Sequence, residues 1–247
     1  MGKARSCESK VALVTGAAGR GMGRSIALTL AREGAPVVVN YRTSKDSAEA
    51  IVGHITGRGG EAVAVQADVF DAEGCGGLCE AAIGAFGRID ICIVGPGAGW
   101  HDQPPEKLDH AGALDDARHE LAPLYYLMPL VLPGMMKRRW GRLVGISVNM
   151  HPPTPCYAYA AAKAARTRAM LLVADGAWPG GVTVNVVAPG PVAEITTLEE
   201  AIEQCDHGTA WGSRSNVSPQ DVAEGVAFLC SEAGRFVTGC ELPYSWR

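Results

Sequence analysis

Short apolar runs alternate along this chain with longer amphipathic stretches, and that alternation predicts its elements. Val11 to Val14, Ala35 to Asn40, Glu61 to Gln66, Ile89 to Val94, Leu143 to Ser147 and Val182 to Val187 have the length and β-branched content of strands buried on both faces. Between them, Arg24 to Gly34, Ser44 to Arg58, Asp71 to Phe86, Leu114 to Lys137 and the Ala-rich stretch around Tyr159 predict helices. Gly74, Gly76 and Gly77 weaken the first turns of the third helix. The fourth should bend at Pro129 and begin either at Leu114 or only after Pro123. Strands alternating with helices over residues 1–247 predict one α/β domain, a doubly wound parallel sheet with helices on both faces.

Composition narrows the function classes. With 47% hydrophobic and 19% charged residues the chain can bury a large core. A net charge of -4 with scattered basic residues leaves no footprint for nucleic acid or an anionic membrane. The most apolar run, Leu121 to Met136, is too short to span a bilayer and carries Pro123, Pro129 and Pro133. Eight cysteines show neither metal-ligand nor disulfide spacing, so no metal site is expected. The N-terminal residues lack the apolar core of a signal peptide, and a reducing, cytoplasmic setting is the simplest expectation.

Candidate chemistry sits in three places. Thr15 to Gly23 is a glycine-rich turn between the first strand and first helix, where backbone amides can receive a pyrophosphate. At the end of the second strand no acid occurs from Asn40 to Ser44, while Arg42 and Arg20 are available. An arginine there suits the 2′-phosphate of NADP, and a carboxylate would suit NAD. Tyr159 and Lys163 lie four residues apart on one helical face. An ammonium held close favours the ionised phenol, which makes Tyr159 a usable acid or base nearer neutral pH.

Taken together, the Thr15-Gly16 to Gly23 loop, Asp68-Val69, Tyr159-x-x-x-Lys163, Asn185 to Gly190, and Pro219 to Ala223 before Phe236 to Gly239 resemble the short-chain dehydrogenase/reductase family, most closely its ketoacyl-reductase-like branch. The resemblance implies a Rossmann-type fold, a dimer or tetramer of identical chains, NADP(H), and hydride transfer to or from a small-molecule carbonyl or alcohol. It implies that Asp68 and Val69 contact adenine, that Tyr159 donates the proton, and that Lys163 binds the nicotinamide ribose and lowers the tyrosine pKa. It further assigns cofactor contacts to Gly16, Arg20, Gly21, Met22, Gly23, Arg42, Gly95, Pro189, Gly190 and Val192.

The chain departs from the family pattern at several points. The glycine loop has four residues between Gly16 and Gly21 instead of the usual three, an insertion that a turn can absorb. Val94-Gly95-Pro96-Gly97 replaces Asn-Asn-Ala-Gly, with loss of two side-chain amides. Val148 stands at the catalytic serine, so Ser147 can serve only if the strand end is bulged or slipped, and Asn149 and His151 are alternative donors. Glu120 replaces an asparagine that supports a water relay to the lysine. The usual exposure of glutamate favours an outward Glu120; an inward carboxylate would offset part of the positive field of Lys163. Glu194 stands at a threonine position, with Thr196 and Thr197 close by.

The substrate side should be lined by Gly99 to Pro105, Val148 to Tyr157 and Pro191 to Asn216. Trp100, His101, Met150, Pro152, Pro153, Tyr157 and Trp211 make this lining fairly hydrophobic, and His101 is a candidate orienting donor. Residues 191–216 should form a mobile lid with a short helix at Leu198 to Gln204. These features predict an NADP(H)-dependent carbonyl reductase. The missing serine, asparagine and amides keep open a cofactor-binding lyase or isomerase, or a dinucleotide-sensing regulator.

Overall fold

The computed structural model describes residues 5–149, 155–210 and 216–244. In chain order it contains β1 (Ala12–Val14), α1 (Met22–Arg32), β2 (Val37–Tyr41), α2 (Lys45–Gly57), β3 (Ala62–Gln66), α3 (Ala72–Phe86) and β4 (Ile91–Val94). There follow α4 (His110–Arg138), β5 (Gly141–Ile146), α5 (Tyr157–Ala177), β6 (Val182–Pro189), α6 (Leu198–His207), α7 (Pro219–Cys230) and β7 (Glu241–Tyr244). The strands form one seven-stranded sheet in the order β3-β2-β1-β4-β5-β6-β7, every neighbouring pair parallel. This is a Rossmann-type, doubly wound sheet. Its order reverses between β1 and β4, where the carboxyl ends of two strands part and leave a crevice.

Successive strand residues face opposite cores, as the pleat requires. Val14, Val39, Ile93 and Ile146 pack on one side under α1, α2 and α7, while Leu13, Val38, Cys92 and Leu143 pack on the other under α3, α4 and α5. Full burial of each such side chain contributes about 1.5–3 kcal/mol.

One helix begins earlier than the sequence expectation, and another keeps the first turns that its glycines weaken. Helix α4 starts at His110 because Asp109 caps it, accepting from the amides of Ala111 and Gly112 at 3.2 and 3.1 Å. It continues through Pro123, Pro129 and Pro133. Burial of Leu124, Leu127, Val131 and Met135 outweighs a local penalty of about 3 kcal/mol per interior proline. Helix α3 forms from its first turn despite its glycines, because Asp71 accepts from the Gly74 amide at 2.8 Å. Two elements went unpredicted: α7, opened by a Ser218–Asp221 capping box, and the edge strand β7. The sequence Glu-Leu-Pro-Tyr of β7 is a poor strand by itself, and its pairing with β6 supplies the order. Among the described residues no helix is long and apolar enough to cross a membrane.

At the amino ends of the strands, opposite the crevice, fully buried Asp90 joins three elements. It accepts from the Val11 amide at 3.1 Å and pairs with Arg88 at 2.7 Å and Arg138 at 3.2 Å. Asp90→Ala leaves the Val11 amide and two arginines without this acceptor. Urea unfolding should show a loss of about 3 kcal/mol; a loss under about 1 kcal/mol would mean that water replaces the carboxylate freely.

Candidate active site

The crevice between β1 and β4 is built by side chains that fasten strand ends together. Thr15 donates to the Ile93 carbonyl at 2.8 Å and accepts from the Gly95 amide at 3.0 Å. Asn40 is buried at the end of β2, where it accepts from the Gly16 amide at 3.0 Å and donates to the Ala67 carbonyl at 3.1 Å. Gly16 has φ +63°, the left-handed region that glycine tolerates. A Cβ on Gly23 would lie 2.5 Å from the Gly16 carbonyl oxygen, so the first turn of α1 sits directly on the loop and the extra residue is taken up without displacing it. Gly21 caps α1 with no side-chain hydrogen bond, which leaves the helix-start amides available to an anion.

Among the described residues, three clefts border this loop. The first, of about 210 Å³, is lined by Gly16, Gly19, Arg42, Asp68 and Val69. The second, of about 180 Å³, is lined by Gly16, Gly21, Met22, Gly23 and Gly95. The third, of about 300 Å³, is lined by Arg20, Met22, Val192, Glu194 and Thr196. Arg42 stands 3.7 Å from the Asp68 carboxylate and 5.8 Å over the Phe70 ring. Pro189 ends β6, and Gly190 donates its amide to Tyr244 at 2.6 Å.

Helix α5 carries the candidate acid. Its start is fixed by the Tyr157 amide, which donates to the Gln103 carbonyl at 3.0 Å and ties residues 101–103 to this end of the helix. The Lys163 Nζ lies 5.5 Å from the Tyr159 ring centroid. The sequence expectation fails at its other neighbour. Glu120 points inward, 0% exposed, with Oε1 2.9 Å from Lys163 Nζ and Oε2 3.0 Å from Arg166. Sequence reasoning did not single out Arg166, which is fully buried three residues after Lys163 on the same face. Two cations on a core-facing stripe were the available signal, because such a stripe demands an anion from the neighbouring helix.

This arrangement reverses the expected tuning. The Tyr159 phenol is pushed up to about 12, chiefly by burial and next by Glu120, against a smaller lowering by Arg166. Lys163 is lowered by burial and by Arg166, with Glu120 opposing. The lysine charge is taken up by the carboxylate before it can favour the tyrosinate.

Ser147 also departs from expectation. The ladder runs past β5 without bulge or slip, Ser147 and Asn149 donating their amides to Val187 and Pro189 at 2.8 Å each. Ser147 keeps its face toward α5, where its hydroxyl donates to the Lys163 carbonyl at 3.3 Å and accepts from Thr167 at 2.6 Å. It pins strand to helix. His101 has its Nε2 3.1 Å from the Asp116 carboxylate on α4, while Trp100 and Tyr157 are exposed. Met150, His151, Pro152, Pro153 and Trp211 lie outside the described residues.

The helical part of the expected lid is fastened down. In α6, Ala201 and Cys205 are buried, Arg32 donates to the Cys205 carbonyl at 2.7 Å, and Arg58 pairs with Asp206 at 2.6 Å. These contacts hold it to α1 and α2.

Residues 16–244 match the family model described as enoyl-(acyl carrier protein) reductase. The chain is 36% identical over 238 residues to a 3-oxoacyl-[acyl-carrier-protein] reductase of Synechocystis, covering 94% of this chain and 93% of the relative. It belongs to the short-chain dehydrogenase/reductase family, in its ketoacyl-reductase-like part. An uncharacterized oxidoreductase of Methylorubrum extorquens is 35% identical over 241 residues, 94% of each chain. A 7α-hydroxysteroid dehydrogenase complexed with NADH and 7-oxo glycochenodeoxycholic acid superposes with a TM-score of 0.84 at 30% identity, covering 98% of this chain and 95% of that one.

Short-chain dehydrogenase/reductases use nicotinamide dinucleotides, and the residues here fit one. The uncapped helix start, the open space at Gly21 and two clefts that both border Gly16 form a seat of the right polarity. Asn40 is what keeps that seat folded. Asn40→Leu should lower stability by about 1–3 kcal/mol in thermal denaturation and weaken NADPH and NADH alike in fluorescence titrations; unchanged affinity for both would show that the loop stands without it.

Proposed function

We propose that this short-chain dehydrogenase/reductase is NADP(H)-dependent and reduces the carbonyl of a fairly hydrophobic small molecule, or oxidises the matching alcohol, with Tyr159 as proton donor. The observation that carries the reading is Tyr159 itself: a half-buried phenol at the start of α5, beside Lys163, with its ionisation pushed up to about 12. At neutral pH it keeps its proton, the state needed to protonate a carbonyl oxygen; for alcohol oxidation it must first lose that proton. When bound, the nicotinamide dinucleotide supplies or accepts the hydride. Lys163 and the 94–97 segment would hold its nicotinamide end, and Gly16 to Gly23 its phosphates.

Preference for NADP rests on the end of β2. The Asn40 amide is turned inward to Gly16, and Arg42 borders the first cleft half in solvent, a cation suited to a 2′-phosphate. The steroid dehydrogenase neighbour holds NADH, so cofactor preference is a test in its own right. A hydrophobic oxo compound is in keeping with the names of the 3-oxoacyl reductase relative and the 7-oxo ligand of the neighbour. Exposed Leu114, Tyr125 and Leu172 on α4 and α5 support a homodimer or homotetramer, and a cytoplasmic setting completes the proposal.

One observation favours a second reading, a cofactor-binding lyase, isomerase or dinucleotide sensor. Ser147 gives its hydroxyl to α5, which leaves the substrate oxygen without the donor that the family resemblance implies.

Tyr159→Phe should reduce NADPH oxidation against a panel of ketones and aldehydes at least about 100-fold while NADPH binding is nearly unchanged. Unaffected turnover would sink the mechanism. Arg42→Ala should weaken NADPH roughly tenfold, about 1.4 kcal/mol, and leave NADH alone; equal loss for both nucleotides would remove the basis for the NADP preference.

A further inference from the structure

Glu120 and Arg166 occupy the space between the candidate acid and the cofactor-side loop, and neither belongs to the pattern this family resemblance supplies. Arg166 donates to the Pro96 carbonyl at 2.7 Å, the Gly95 carbonyl at 3.4 Å and the Val94 carbonyl. Glu120 accepts from the Ala98 amide at 2.7 Å. Two side chains on neighbouring helices thus satisfy four backbone groups of the segment 94–98, in which Gly95-Pro96-Gly97 offers no polar side chain of its own. A Cβ at Gly97 would collide with the Glu120 carboxylate, so the glycine and the glutamate fit only together. The same carboxylate reaches Lys163 with its first oxygen and Arg166 with its second.

We propose that Glu120 and Arg166 form one positioning unit, which holds the backbone of residues 94–98 in place of the missing side-chain amides and neutralises Lys163 beside Tyr159. The first role follows from the hydrogen bonds. The second rests on the reading of Tyr159 as the proton donor and follows from the charges around it. Lys163 and Arg166 face it from α5, Glu120 from α4, and Cys156 from the residue before α5. Asp116 stands one helical turn before Glu120, with His101 against it from the loop after β4. A single carboxylate shared between two buried cations offsets part of their pull on the phenol proton, although Arg166 keeps a smaller lowering effect. The raised pKa of Tyr159, chiefly from burial and next from Glu120, agrees with this. The unit therefore keeps the acid loaded while the cofactor-side loop stays rigid.

The test needs no substrate. The near-ultraviolet tyrosinate absorbance of the full chain is titrated with base, and the Tyr159→Phe difference isolates the contribution of Tyr159. Glu120→Gln should move the Tyr159 midpoint down measurably, by up to about one pH unit, and Glu120→Asp should restore it toward the wild-type value. In parallel, melting temperatures of Glu120→Gln, Arg166→Met and the double variant should show the double losing clearly less than the sum of the two singles. An unmoved midpoint in folded Glu120→Gln overturns the charge role, and additive losses in the double overturn the unit. If Glu120→Gln does not fold, Glu120→Asn takes its place in the titration. If neither folds, a folded double variant supports the unit and an unfolded one overturns it. Failure to oxidise NADPH on any carbonyl would count against the functional reading alone and leave this titration unaffected.

Discussion

Two cations on the inner stripe of α5 are the constraint around which the Tyr159 side of this protein is arranged. Removing a charged group from water costs several kcal/mol even after relaxation, and both Lys163 and Arg166 are buried. Arg166 meets that cost with a carboxylate and three carbonyls, and Lys163 shares the same carboxylate. From this pairing follow the inward direction of Glu120, the absence of a side chain at Gly97, and the fixed path of the segment after β4. Helix α4 must also run unbroken through its prolines to deliver Glu120 at the right height, and its packing on α3 and α5 is what carries it.

On the cofactor side the governing interactions are neutral. Thr15 and Asn40 link the carboxyl ends of four strands or their following loops, and each uses both its donor and its acceptor. The glycine loop is therefore held from below by buried side chains, while its upper surface keeps unclaimed helix-start amides for an anion. This division of a rigid support and an unsatisfied face suits binding a polyanion. Helix α6, which follows the residues 192–196 that line the third cleft, is held in place by its contacts to α1 and α2.

The two halves meet at residues 94–98, which touch the glycine loop through Thr15 and the acid-base helix through Arg166. Any shift of that segment is felt by both. A tyrosine kept protonated by its surroundings thus stands beside a segment whose backbone is held by an ion-paired carboxylate and guanidinium.

Apolar periodicity and the glycine turn were sufficient to read the α/β alternation and the parallel sheet from the sequence, because these depend on local backbone chemistry and on patterns of fixed period, while the family was legible only through the resemblance carried by several motifs in order. Strand β7 was illegible because its order comes from β6, and the unbroken course of α4 because packing overrides proline penalties. The orientation of Ser147 required knowing that the β5–β6 ladder continues without a bulge. Burial of Glu120 and the importance of Arg166 required knowing that residues 46 positions apart meet across two helices. Whether a charged side chain faces water or another charge is a property of what packs against it, and only the tertiary structure decides that.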